Sequence, residues 1–224
     1  MKKNVCICMS GLVRTLNECY STLIDNLINS NPNYNFDIVA VLSNKEDFNI
    51  DLSAYNFKKH IISIDGQLPN LEYQYEKIIP HEWTFPNNYY QLMGLMDANK
   101  LRLEIEQEGG FQYDMVIRVR TDLKFYDAVS LENIDISNNI YIPHGNDYNG
   151  GYNDRFALGN RDLMNHYMNR FDFWMNKQDH IQDYSTHAEL NLKQYLDELN
   201  INIERIPFSY CLRRDGVDFN IHTM

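Results

Sequence analysis

The sequence predicts an α/β fold: a half that alternates strand and helix in the manner of nucleotide-binding domains, over about residues 1–125, continued by a mixed, loop-rich half over about 126–224, in a single domain. Three observations predict it. NVCICMS (4–10) and FDIVAVL (36–42) are continuous apolar runs, the pattern of strands covered on both faces. Apolar residues recur near every 3.6 positions after the first run. The stretch YDMVIRVRTDLKF (113–125) reads as a further strand in which Met115, Ile117 and Val119 take one face while Arg118, Arg120 and Asp122 share the other, half core and half working surface.

Taken in order, the first strand ends at Ser10-Gly11, and Leu12, Leu16, Cys19, Leu23 and Leu27 then mark an amphipathic helix. FDIVAVL follows an NPN turn, and HIISI (60–64) is a third strand. Leu92, Leu95, Ala98, Leu101 and Ile105 mark a helix over 90–108, stopped by Gly109-Gly110. After the charged strand come NIYIP (139–143), a loop GNDYNGGYND (145–154) and a strand RFALG (155–159). One helix is predicted from Arg161 through Met164, Tyr167, Phe171 and Trp174, another from Thr186 through Leu192, Leu196 and Leu199, and IERIPF (203–208) closes the regular part.

Bulk composition narrows the function classes. A net charge of −11 argues against broad attraction to nucleic acid or anionic lipid, although local basic pockets remain allowed. No run approaches the length of a membrane span and the first 16 residues are too short and polar an apolar segment for a secretory signal, so a soluble, cytoplasmic chain is expected. The four cysteines have neither disulfide nor zinc spacing, and Cys6 and Cys8 alternate within a strand as small buried hydrophobes.

Three stretches carry candidate chemistry. In SGLVR (10–14), Gly11 permits close backbone approach, a following helix offers unpaired N–H groups, and Arg14 adds a charge, which together suit a diphosphate; an ordinary strand-to-helix turn is the alternative. At the end of the charged strand, Asp122 is placed as a carboxylate that holds Mn²⁺ or Mg²⁺ against a diphosphate, and Arg120 either neutralises phosphate or pairs with Asp122. In IPHGNDYNGGYNDRFALGN (142–160), tyrosines supply flat hydrogen-bonding surfaces suited to sugars, and Asp147 and Asp154 are candidate general bases, Asp154 preferred. Glu189 is the second choice, against a reading of Thr186-His187-Ala188-Glu189 as a helix-capping box, and His187 is a further acid–base candidate or a structural histidine. Arg213-Arg214 and His222 are placed to close over a phosphate, although the terminal position of His222 favours disorder.

SGLVR, the helix holding Gln91 and Asn99, YDMVIRVRTDLKF, GGYNDRFALGN, HAELNLKQYL and IPFSYCLRRDG occur in an order that resembles the small GT-A type glycosyltransferases of large DNA viruses and bacterial surface-polysaccharide clusters. The resemblance implies a Rossmann-like nucleotide-binding half joined to an acceptor-binding half in one continuous mixed sheet flanked by helices. It also implies transfer of a sugar from a nucleoside-diphosphate donor such as a UDP-sugar to a glycan or other hydroxyl acceptor, with Mn²⁺ or Mg²⁺. Carried over, Asp122 takes the last position of an Asp-x-Asp-like motif, Gly11 and Arg14 lie near the nucleotide, and Asp154 lies in the sugar-facing loop; Gln91, Arg120 and Arg214 are further nucleotide-binding candidates. Arg120 departs from that motif, replacing its first acid. Two other readings stay open: a sugar-nucleotide nucleotidyltransferase, for which SGLVR lacks the lysine a triphosphate loop needs, and a catalytically silent sugar- or nucleotide-binding module.

Overall fold

The computed structural model describes residues 2–44, 51–64, 85–177 and 188–223. The first apolar run becomes β1 (Lys3–Leu12), which pairs in parallel with β2 (Tyr34–Asn44) on one side and with β4 (Met115–Arg120) on the other. β3 (Lys59–Ile64) adds a parallel edge beyond β2. Past β4 the sheet turns mixed: β7 (Phe156–Gly159) runs antiparallel to β4, β6 (Asn139–Pro143) antiparallel to β7, and β8 (Asn202–Ile206) parallel to β6. The order β3-β2-β1-β4-β7-β6-β8 is a seven-stranded mixed sheet that passes from the first half of the chain into the second.

Alternation sorts the strand residues into two cores. Val5, Ile7 and Met9 join Met115, Ile117 and Val119 on one face, with Leu16 and Leu23 of α1 (Leu16–Leu23) packed above them. Cys6, Cys8 and Val116 take the other face, under α2 (Phe85–Gly109), α3 (Arg161–Met168), α4 (Phe171–Lys177) and α5 (Ala188–Glu198). All four cysteines are free and buried, as their spacing predicts. The leucine stripe of α2 faces this second core, and Gly110, at φ +63°, ends the helix by taking a left-handed conformation.

Several elements differ from the sequence expectation. β1 does not stop at Gly11: it runs to Leu12, a single 3₁₀ turn follows over Val13–Thr15, and the helix begins only at Leu16, so Arg14 stands in the turn and not inside a helix. The stretch 113–125 is not one strand. It breaks at Thr121-Asp122, where the Thr121 hydroxyl donates to the Leu12 carbonyl at 2.7 Å and the Asp122 carbonyl accepts from Arg213 N–H at 2.8 Å, handing the chain to a second sheet. That sheet, β10-β9-β5, is built from β5 (Leu123–Phe125), β9 (Tyr210–Arg214) and β10 (Val217–His222), all antiparallel.

The hairpin β9–β10 turns on Asp215 and Gly216, both at positive φ, the Asp-Gly signature of a tight hairpin. It gives His222 a place in a strand, against Gly145 and 5.5 Å from the Tyr210 ring, where terminal position alone favours disorder. The helix expected from Arg161 is two helices, broken where Asn169 leaves helical geometry at φ −99° and ψ 25°; at that break the Tyr167 carbonyl accepts from the Arg170 guanidinium at 2.6 Å. Thr186 and His187, and with them the capping box, lie outside the described residues. No helix among the described residues is long and apolar enough to cross a membrane.

An aromatic cluster joins the two sheets. Phe208 stacks on Phe125 of β5 at 5.4 Å and meets Phe156 of β7 edge-on at 5.1 Å, all three at most 2% exposed. Phe208→Ala is expected to cost about 3–5 kcal/mol in urea denaturation, the range for truncating a buried phenylalanine. A loss below about 1 kcal/mol would mean that the site can collapse and the sheets are not locked through this ring.

Candidate functional site

The centre of the main sheet sets the site. Ser10 on β1 lies opposite Arg120 on β4, so the carboxyl ends of two adjacent parallel strands open side by side. In open α/β sheets ligands bind beyond such ends. Gly11, at φ +142°, makes the approach possible, since a Cβ there would sit 2.5 Å from the Thr121 hydroxyl oxygen. α2 crosses closely as well: a Cβ on Gly94 would lie 3.4 Å from that of Ser10. The result is a cavity of about 370 Å³ walled by Ser10, Gly11, Leu12, Arg14, Ser43, Asn87, Tyr90, Gln91, Gly94, Arg118, Arg120, Thr121, Asp122 and Arg214.

Charge distinguishes this cavity. Four arginines face one carboxylate in its wall, within a chain of net charge −11. Arg120 grips Asp122 with two parallel hydrogen bonds, Nε to Oδ1 at 2.7 Å and Nη2 to Oδ2 at 2.9 Å. Arg214, arriving from the end of β9, places its Nε 3.6 Å from the same Oδ2. Burial alone would raise the Asp122 carboxyl, but the charge and hydrogen bonds of Arg120, with Arg214 and Arg14 beyond, outweigh it and bring it down to about 2.

Arg118 is fully buried, and only its Nη1 finds an acceptor, the Arg155 carbonyl; Nε and Nη2 have no hydrogen-bond partner among the described residues. Burial, with Arg120 and Arg170 alongside, pulls its pKa down to about 10, which leaves it charged at neutral pH. Arg102 supplies the contrast. It too is fully buried, but it donates through Nε and Nη2 to Asn99 and through Nη1 to Glu106. Arg102 is a satisfied structural residue; Arg118 carries unmet hydrogen-bonding capacity into a cavity, and an unmet buried donor costs roughly 1–3 kcal/mol.

Behind Arg120 and Gln91 lies a pair of carboxylates. Asp154, 3% exposed, accepts a short hydrogen bond from Gln91 Nε2. Burial would raise its pKa, yet the guanidiniums of Arg118, Arg120, Arg170 and Arg155 prevail and hold it below the ordinary aspartate value. Glu189 goes the other way: burial, then the Asp154 charge, push it up from 4.5 to about 7 against Arg155 and Arg120. The loop at 145–154 fixes Glu189 through its backbone, because a Cβ on Gly151 would fall 2.2 Å from the Glu189 carbonyl carbon and the Tyr152 N–H donates to the Glu189 oxygen at 2.8 Å. A glycine is required there by contact, not by φ.

Of the residues singled out in the sequence, Gly11, Arg14, Gln91, Arg120, Asp122 and Arg214 share the cavity wall, and Asp154 and Glu189 form the pair next to it. Asp147 is instead held in a two-bond pair with Arg205, at 3.0 and 2.8 Å, and accepts from Asn153 N–H, a loop-bracing role. His222 packs on Gly145, away from the cavity wall. Sequence reasoning put Arg118 on the working face of β4 but gave it no ligand role, and it left Arg155 and Arg170 out of the site. Arg118 was detectable, being two residues before Arg120 on the same face of β4; Arg170, in the break between two helices, gave no signal.

Asp122 does not fit a divalent cation. Mg²⁺ and Mn²⁺ want roughly six oxygen ligands, whereas both Asp122 oxygens are taken by Arg120 and no group of three or more His, Cys, Asp or Glu gathers among the described residues. A cation there would also face Arg14 and Arg214. The chemistry of this donor set is that of an anion site.

Arg118→Met tests whether the unmet guanidinium is kept for a ligand. Exchanging a buried, incompletely paired charge for an apolar side chain is expected to leave the ligand-free protein as stable or up to about 2 kcal/mol more stable in chemical denaturation. A loss of similar size would show that Asp154 depends on Arg118 for its folded-state pairing.

No curated protein matches the chain. The model of a family described as a domain of unknown function (DUF7796) matches residues 1–218, and the chain belongs to that family.

Proposed function

We propose that this protein is a glycosyltransferase that moves a sugar from a nucleoside-diphosphate donor, such as a UDP-sugar, to a hydroxyl of a glycan or other acceptor. The observation that carries the reading is the four-arginine cavity at the carboxyl ends of β1 and β4 with a carboxyl of raised pKa beside it. The seven-stranded sheet that runs from a parallel half into a mixed half supports the finer reading of a GT-A arrangement, nucleotide on the first half and acceptor on the second.

In this reading the diphosphate lies among Arg14, Arg118, Arg120 and Arg214, and the sugar extends toward Gln91. As the glycosidic bond to the diphosphate breaks, the leaving oxygen gains negative charge, and fixed guanidiniums in a partly dry cavity stabilise it without reorganising. The acceptor hydroxyl must lose its proton. Asp154, preferred for that task on sequence, is surrounded by guanidiniums that lower its proton affinity and is hydrogen-bonded by Gln91, so it suits an orienting role. Glu189, with a pKa of about 7, is the better base, since general-base catalysis is most efficient near the operating pH.

Two measurements test this. In thermal unfolding with UDP, GDP, CMP and dTDP, each with Mn²⁺ present, one nucleoside diphosphate is expected to stabilise the fold by about 2.7 kcal/mol at 100 times its Kd; indifference to all four would remove the donor site and favour a protein with another ligand. Glu189→Gln is expected to lower kcat by about 10²–10⁴ and abolish the limb of the pH profile near 7, with nucleotide binding retained. The same variant has a stability signature. A glutamate whose pKa is higher folded than unfolded contributes stability that is complete below the unfolded value and is lost as pH rises through the folded one. Stability of the parent protein should thus fall between about pH 4.5 and 7 through this group, and Glu189→Gln should remove that component of the slope. An unchanged slope would show that Glu189 titrates as an ordinary surface acid.

A further inference from the structure

We infer that the site binds its donor diphosphate without a divalent cation, the guanidiniums of Arg14, Arg118, Arg120 and Arg214 supplying the counter-charge, and that Asp122 is a positioning residue for those arginines and not a metal ligand. This rests on the reading of the cavity as a nucleoside-diphosphate site.

Charge balance is the first argument. Four guanidiniums against the Asp122 carboxylate leave an excess of three positive charges in the cavity wall. A sugar-linked diphosphate carries about two negative charges and a released nucleoside diphosphate about three, since the second ionisation of a terminal phosphate lies near 6. The wall therefore matches the ligand by itself, and a bound divalent cation would restore the imbalance. The groups behind the wall do not cancel the excess: Asp154, which acts on Arg118 and Arg120 as well as on Arg170 and Arg155, and Glu189 bring at most two negative charges, and Arg155 and Arg170 bring two positive ones.

Hydrogen bonding is the second argument. Nε of Arg14, Nε and Nη2 of Arg118 and Nε of Arg214 are buried with no hydrogen-bond partner among the described residues. Phosphate oxygens are acceptors and satisfy such groups, whereas a cation offers no acceptor. Two of the four atoms belong to a side chain that is 0% exposed and lines the cavity.

Asp122 holds the arginines of two sheets together. Its carboxylate clamps Arg120 from the central sheet, its Oδ2 lies 3.6 Å from Arg214 Nε of the second sheet, and its carbonyl accepts from Arg213 N–H at 2.8 Å. It sits at the turn where one sheet passes to the other, with like-charged groups drawn in around it. Without that carboxylate Arg120 and Arg214 would repel one another across the site.

Isothermal titration of UDP, GDP, CMP and dTDP, in EDTA and in Mn²⁺, separates the possibilities. Tightest binding by a nucleoside diphosphate, with Kd in EDTA within about threefold of that in Mn²⁺, is expected; Arg214→Gln, a change at a partly exposed side chain, should weaken it at least about tenfold in both buffers. Asp122→Asn should weaken binding by the same factor with and without Mn²⁺, its fold checked by circular dichroism. Binding that needs Mn²⁺, or an Asp122→Asn defect confined to the Mn²⁺ buffer, overturns the inference and leaves the glycosyltransferase reading standing. No binding in either buffer overturns both.

Discussion

The bidentate pair between Arg120 and Asp122 is the interaction on which the rest of the site depends. Arg120 is the last residue of the central strand β4 and Asp122 the second residue of the turn that leaves it, so a single ion pair closes the strand end and starts the second sheet. Around the same carboxylate stand Arg214 from β9 and Arg14 from the turn after β1. Three chain segments far apart in sequence are thereby held within reach of one anion. The cost is visible in Arg118, which is buried next to this group with two donors unmet. A bound anion would complete such a group.

The same principle sets the second half of the site. Asp154 is stabilised as an anion by four guanidiniums, and its charge is, after burial, what raises Glu189. The two carboxyls are pushed in opposite directions by their surroundings, so that Asp154 stays ionised while Glu189 takes up a proton near neutral pH. Gly151 makes the arrangement possible by admitting the backbone of α5 where no Cβ fits. The cavity arginines and the Asp154–Glu189 pair are thus one electrostatic unit, joined through Arg120.

Much of the parallel half was legible in the sequence because its strands are buried on both faces and its helices carry regular stripes, as NVCICMS, FDIVAVL and the leucines of α2 show. The face division of β4 was equally readable, since period-two alternation is a local property. What escaped was non-local. The break at Thr121-Asp122 depends on acceptors from Leu12 and a donor from Arg213, some 90 to 110 residues away. The β9–β10 hairpin was signalled by Asp215-Gly216, but its strands are short and interrupted by charge, so the pattern of a packed strand was weak. The split between α3 and α4 falls at Asn169-Arg170, with no glycine or proline to announce it. In the site, residues near strand ends were found because such positions bind ligands in this class of sheet, while Arg155 and Arg170 were invisible because burial of a guanidinium is decided by its neighbours in space.

The most direct test of the account is a crystal structure of the protein with the nucleoside diphosphate that binds it, grown with Mn²⁺ present. The account places the diphosphate oxygens within hydrogen-bonding distance of Arg118 and Arg214, with the Arg120–Asp122 pair intact and no cation between Asp122 and phosphate. A nucleotide bound elsewhere on the chain, or a Mn²⁺ ion bonded to Asp122 with Arg120 displaced, would contradict it.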